Sequence, residues 1–270
     1  MSLRSLLESV EGPDHTVAVV ADDAPGPVAG LLEEAFDGVP DIETAVDADL
    51  TATDLPPTLE DAVDPEAAVE EDLAVLLEDG QPVAASSMAA LYDSLLAINS
   101  DLFVTGARRL GDTSLPDVLA GLEGTRLRLR GYPLAHKEKL LLILLSRYIE
   151  QLAWEHGTGT VRSAFQHLSR IDDEIGTRRV YEQLEETDLD VHVYGIDDGS
   201  VPDLEMTVHA GSSRTYRNSW FVVYNPPAGI ETTDAGALVC LETEPRIWDG
   251  FFTFDPDCVD AIEDRIVTTL

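Results

Sequence analysis

Three sets of polar residues have types and spacings that could do chemistry. Asp47 and Asp49 stand in DADLT, an Asp-x-Asp-x-Thr pattern that follows the apolar run IETAV. A phosphatase with an aspartate nucleophile needs one carboxylate to attack phosphorus and a second as acid or base. It also needs a lysine and further acids on Mg²⁺. The alternative is chance, because 52 of the 270 residues are acidic and no lysine precedes Lys137. The second set is Arg126, Arg128 and Arg130, at alternate positions, with Arg108 and Arg109 upstream. Guanidinium forks suit carboxylate or phosphate, so Arg108, Arg126, Arg128 and Arg130 are candidate ligand-binding residues. In so acidic a chain, charge compensation is the competing reading. Trp220 and Tyr224, from the aromatic-rich last third, are candidate walls for an apolar ligand, with a place in the core as the alternative.

The third set is histidine. His167 lies in VRSAFQHLSRIDDEIG near Asp172, Asp173 and Glu174. Leu168 follows it where a kinase phospho-acceptor would have an acid, and no ATP-binding glycine boxes lie downstream, so it reads as a flank residue. His192 and His209 fall on adjacent predicted strands and could meet across the sheet, a pairing that reads as packing or surface. The chain carries no GxGxxG, Walker lysine loop, GxSxG elbow or HExxH. GSSRTYR at 211–217 offers serines beside Arg214 but no assignable base. No catalytic residue, metal site or cofactor is expected.

Charge narrows the function classes. The chain has 17 basic and 52 acidic residues, net −35, and its basic set contains only two lysines, Lys137 and Lys139. Such self-repulsion strains a compact state in dilute buffer and is screened over about 3 Å at 1 M salt. The composition points to the cytoplasm of a salt-accumulating halophile. It disfavours direct nucleic-acid binding and a membrane surface. The richest apolar run, LLLILL, has six residues, far short of a membrane span. MSLRSLLESVEG lacks the pattern of a signal peptide. Cys240 and Cys258 match no zinc spacing and read as reduced thiols. Charge is also uneven. Residues 1–107 contain one basic residue, Arg4, and 24 acids, whereas residues 108–180 contain 12 basic and nine acidic residues, net +3.

The elements that must position these residues fall into two parts. Residues 1–87 read as an acidic α/β unit: a helix at SLRSLLESV, strands at HTVAVVADD and IETAV, a helix at PVAGLLEEAF, and an irregular mobile loop over 47–72. LAVLLEDGQPVAAS reads as a hairpin turning at Asp79-Gly80. Residues 88–187 read mostly as helices: 88–98, a short one with Ser114 as N-cap, and a long central helix ending at Gly157. A further amphipathic helix, capped by Thr160 and carrying Val161, Phe165, Leu168, Ile171 and Ile175 on one stripe, breaks at Gly176. DLFVTGA and TRLRLRG are short strands within this region. From 188 onward, DVHVYG, LEMTVHAG, SWFVVYN, GALVCLETEP and GFFTFDP read as strands, closed by a helix over DPDCVDAIEDRIVTTL. The expected fold class is α/β with α+β character, a small N-terminal α/β unit followed by a helical layer on a largely antiparallel sheet.

LRGYPLAHKEKLLLILLSRYIEQLAWEHGTGTV, SRIDDEIGTRRVYEQL, DLDVHVYGIDD, YRNSWFVVY, ALVCLE and WDGFFTFDPDCVDAI together resemble the DICT family, a sensory domain of diguanylate cyclases and two-component systems. The resemblance covers roughly 88–270 and looks like that of stand-alone haloarchaeal members. It implies a sensor or adaptor that recognises a small-molecule or protein signal. It would act in trans through a kinase, cyclase or transcription regulator, without contacting nucleic acid or membrane. The family supplies no catalytic residues to carry over. The alternatives are a Mg²⁺ phosphatase using Asp47 and Asp49, and a non-catalytic assembly protein forming a homodimer through the long helix.

Overall fold

The structure is a computed structural model, and it describes residues 3–10, 12–21, 36–46, 72–97, 110–130, 139–173, 175–199, 203–227, 235–245 and 247–270. Its elements in chain order begin with α1 (Leu3–Glu8), β1 (His15–Ala21), β2 (Phe36–Val39) and β3 (Asp41–Val46). They continue with β4 (Leu73–Glu78), β5 (Gln81–Ser87), α2 (Met88–Ala97), α3 (Asp117–Ala120), β6 (Leu127–Arg130) and α4 (Lys139–His156). Next come β7 (Thr158–His167), α5 (Arg170–Asp173), α6 (Ile175–Glu185), β8 (Asp188–Ile196), β9 (Thr207–Ala210) and α7 (Arg214–Asn218). The chain closes with β10 (Ser219–Asn225), β11 (Gly236–Glu244), β12 (Ile247–Thr253) and α8 (Pro256–Thr269).

The protein is α/β. A four-stranded sheet runs β3-β1-β4-β5, and an eight-stranded sheet runs β2-β6-β12-β11-β10-β7-β8-β9. The larger sheet is antiparallel from β2 to β7. It turns parallel at β7-β8 and β8-β9. β2 contributes residues 36–39 to this sheet by pairing with β6. The expected hairpin turn is present, with Asp79 at φ 50° and Gly80 at φ 75°, the pair of left-handed residues a tight two-residue loop requires.

Strand parity sorts the core into two faces. On one face Leu127, Leu129, Val161, Val193, Val222, Tyr224, Leu238 and Phe252 meet α4, α6 and the smaller sheet's Val17, Val19, Ala74 and Leu76. On the other, Ala164, Tyr194, Phe221, Val223, Val239 and Phe251 meet Leu3 and Leu7 of α1 and Val259, Ile262 and Ile266 of α8. Helices therefore cover both faces of the large sheet, not the single face expected. The long helix ends where predicted: Gly157 sits at φ 66° and its N–H donates to the Ala153 carbonyl at 2.9 Å.

Three expectations need correction. The helix read from residue 161 begins as strand β7. Its first residues, Thr158, Thr160 and Val161, are β-branched, and Gly159 at φ 113° breaks any helical start. Val161 and Phe165 reach one core from alternate strand positions, while Leu168 and Ile171 reach the same core from the turn and α5. The apparent helical stripe thus spans an element boundary. A bulge at Phe165-Gln166, with Gln166 at φ 62°, turns the strand toward α5. Secondly, Ser114 caps no helix. α3 starts after Pro116 with no side-chain cap, and the Ser114 hydroxyl lies 3.2 Å from that of Ser94. Thirdly, Gly176 lies inside the first turn of α6 and not between two helices. The helix expected at PVAGLLEEAF lies outside the described residues except Phe36, which opens β2; the strand DLFVTGA and the loop 47–71 lie outside them too.

Candidate functional site

Two consecutive inward leucines, Leu127 and Leu129, fix the orientation of β6, so Arg126 and Arg128 emerge on the opposite face, toward α1. On β12 the residue directly across from Arg128 is Asp249. The Asp249 carboxylate, only 9% exposed, accepts from Arg128 Nη1 at 2.9 Å and from Arg126 Nη2 at 3.1 Å. Arg128 Nη2 reaches Glu244 at 3.2 Å, a carboxylate 66% exposed. These groups line a cleft of about 310 Å³ together with Arg4, Leu7 and Glu8 of α1 and Leu241 and Thr243 of β11. Arg4 has no ion-pair partner among the described residues.

The other sequence candidates lie elsewhere. Trp220 and Tyr224 face the helical layer. Trp220 donates its Nε1–H to Ser146 at 3.1 Å and meets Trp248 edge-on, and Tyr224 is fully buried with its hydroxyl on the Thr158 carbonyl at 3.0 Å. Parity puts both on the face away from the cleft, so the structure does not bring them to the arginines. Arg130 lies at the end of β6, paired with Ile247, and its side chain is outside the description. Arg108, Asp47 and Asp49 lie outside the described residues. His167 ends β7, with Nδ1 3.4 Å from Asp198. The Asp198 carboxyl is held below its ordinary value, first by the Ser169 hydroxyl that donates to it.

Sequence reasoning missed Asp249, Glu244 and the α1 residues of the cleft. Two signals pointed there. Arg4 is the lone basic residue among the first 107, and Asp249 is an acid inside an otherwise apolar strand, IWDGFFT, a position strands disfavour.

Two further polar clusters hold the lobe. Under the helical layer, Arg147 of α4 pairs with Glu150 and donates through Nη2 to Thr177 of α6 at 2.8 Å. Beside it the Tyr181 hydroxyl donates to Ser163 of β7 at 2.5 Å. Burial, then the nearby Glu150 charge, pushes the Tyr181 phenol well up. On the α8 side, His192 and His209 do meet across β8 and β9, with Nδ1 and Nε2 2.9 Å apart. His209 stacks on Tyr194 with ring centroids 4.3 Å apart. Arg162 donates to Glu263 at 2.8 Å and to the Tyr194 hydroxyl at 3.0 Å. Burial pushes the Tyr194 phenol up despite Arg162, and lowers His209 together with His192 and Arg162.

Many of these contacts fall in the segment that runs from after α3 to near the end of β11, and this segment matches a family model. Residues 122–243 match the DICT family model. That family is a sensory domain in diguanylate cyclases and two-component systems. The matched segment contains β6 to β10, nearly all of β11 and the covering helices α4 and α6. Arg126, Arg128, Leu241 and Thr243 of the cleft lie within it, while Arg4, Leu7, Glu8, Glu244 and Asp249 lie outside. No curated protein matches the chain. Among solved structures, polyphosphate kinase from Porphyromonas gingivalis is similar at 12% identity and TM-score 0.33, over 97% of this chain and 47% of the kinase chain. The chain spans about half of that kinase, a likeness too slight to carry an argument. Among the described residues no helix is long and apolar enough to cross a membrane.

Proposed function

We propose that this protein is a signalling sensor or adaptor whose DICT lobe recognises a small-molecule or protein signal and passes the bound state to a partner in trans. The match of residues 122–243 to a sensory family carries the reading. Those residues build the centre of the eight-stranded sheet and one of its helical covers. The buried Arg147–Glu150–Thr177 contact ties the two cover helices together, and Tyr181–Ser163 ties them to β7. These ties form a continuous packed route from the sheet to the helical surface, and the reading has a partner contact the protein there. The partner belongs to the kinase, cyclase or transcription-regulator class, and the net charge of −35 directs it to contact the protein and not DNA or a membrane. The same charge supports a salt-rich cytoplasm as the working environment.

The test is in-cell cross-linking of the tagged protein in a salt-accumulating host, followed by mass spectrometry of the conjugates. A signalling protein cross-linked through α4 or α6, and lost when Arg147 and Glu150 are both replaced by apolar residues, supports the reading. Conjugates no different from those of an unrelated protein of equal acidity overturn it.

A further inference from the structure

The sensor reading leaves open what is sensed, and the cleft beside α1 narrows it. Among the described residues its charged lining is balanced, with Arg4, Arg126 and Arg128 against Glu8, Glu244 and Asp249. The balance is spatially ordered. Asp249 is sunk into the sheet and engaged by both Arg126 and Arg128, which sets the planes of the two forks. Glu244 is 66% exposed and touches Arg128 through Nη2 alone, so it is the group an incoming carboxylate would displace. Arg126 is 49% exposed, and Arg4 stands ready on the other wall. Leu7 and Leu241 supply apolar contact between these charges. The volume, about 310 Å³, is at the small end of ligand sites, which run from roughly 300 to 1,000 Å³.

Resting on the sensor reading, we propose that this cleft binds a small zwitterion, an ammonium carboxylate with an apolar side group. The carboxylate takes the place of Glu244 on Arg128 and draws on Arg126 and Arg4. The released Glu244, with Glu8, faces the ammonium group, and the side group lies against Leu7 and Leu241. Charge decides the class. A free phosphate or a dicarboxylate would meet no net positive charge among the described lining residues, on a protein of net −35, and gains nothing from steering. A bare cation would meet three guanidinium groups. A zwitterion satisfies both ends without changing the charge of the site. Because Arg4, Leu7, Glu8, Glu244 and Asp249 lie outside the DICT match, the selectivity belongs to this chain and not to the domain it shares.

The probes are L-leucine, isocaproate, which lacks the ammonium group, and isoamylamine, which lacks the carboxylate, titrated calorimetrically in concentrated KCl. The other common amino acids are screened in parallel. Leucine or another apolar amino acid binds saturably, and its two truncated analogues bind at least about tenfold more weakly, the loss expected for one charge-assisted contact. Arg4→Gln, on an exposed side chain that leaves the fold intact, weakens the amino acid and its carboxylate analogue alike. Glu244→Gln separates the two ends, weakening the amino acid while tightening its carboxylate analogue, whose competitor is gone. Absence of saturable binding by any amino acid overturns the proposal. So does a carboxylate analogue that binds wild type as tightly as the amino acid, or a Glu244→Gln change of the same sign for both. A different endogenous ligand, found bound to protein taken from cells, would overturn the zwitterion site and leave the sensor reading standing.

Discussion

Nδ1 of His192 lies 2.9 Å from Nε2 of His209, and Asp190 holds the other ring nitrogen of His192 at 3.0 Å. With the His192 Nε2–H donating to Asp190, its Nδ1 is left as an acceptor and His209 donates to it. That relay fastens the edge strand β9 to β8. A proton added to His209 would leave that bond in place and set a positive charge near the Arg162 guanidinium in a half-buried site.

The pH dependence follows from His209, whose pKa falls below its ordinary value of 6.5 through burial, His192 and Arg162. The unfolded chain then binds more protons than the folded one as pH drops below that value, so stability decreases on acidification. The titratable and charged groups around the pair are Asp190, Tyr194 and Arg162 from the sheet and Glu263 from α8. Melting curves in constant high KCl should show stability falling as pH is lowered from 6.5 through the depressed pKa of His209. His209→Gln should flatten that decline, and an equal decline in the variant would contradict the relay.

The buried pair under the helical layer gives a prediction with a built-in control. Glu150 is 1% exposed, so removing Arg147 strands a carboxylate in the core. Arg147→Ala should lower unfolding free energy by about 3–5 kcal/mol, as for other broken buried pairs. Replacing both residues with apolar ones of similar volume should restore most of it. Denaturant titration measures both, and a loss under about 1 kcal/mol for Arg147→Ala would show that water reaches Glu150.

Glu123 fastens the start of α8 to the turn before β6. One carboxylate oxygen accepts from the Thr253 hydroxyl at 3.0 Å, the Asp255 N–H at 3.1 Å and the Phe254 N–H. Glu123→Ala should destabilise by about 1–3 kcal/mol, the range for an abandoned part-buried network, with Glu123→Gln milder. Chemical denaturation with unchanged midpoints in both variants would contradict the role.

Salt provides a test of the whole charge distribution. Net −35 over 270 residues should make the melting temperature climb as KCl rises from dilute to molar concentrations, where screening contracts to about 3 Å. Calorimetry showing a melting temperature independent of KCl would remove the argument for a salt-rich environment.

Much of the fold was legible because its strands carry clear period-two or β-branched runs between turn residues. SWFVVYN, GALVCLETE and TRLRLR fall where expected, and Asp79-Gly80 turns as its sequence requires. β7 was misread because Val161, Phe165, Leu168 and Ile171 share one core although they belong to different elements, which imitates a helical spacing. The site was half legible. Alternation placed Arg126 and Arg128 on one face, but register alone brings Asp249 opposite Arg128, and register between β6 and β12, 121 residues apart at that pair, leaves no local signal. Trp220 and Tyr224 were separable from the arginines only after it was known which sheet face each strand presents.

The central claim is that this lobe holds a signal molecule and hands its state to a partner. Native mass spectrometry of the protein purified from a salt-accumulating cytoplasm tests it most directly. The account predicts a discrete low-mass adduct on the chain, reduced in Arg4→Gln, together with a larger species containing a signalling protein. A bare chain in every preparation, with neither adduct nor complex, would contradict it.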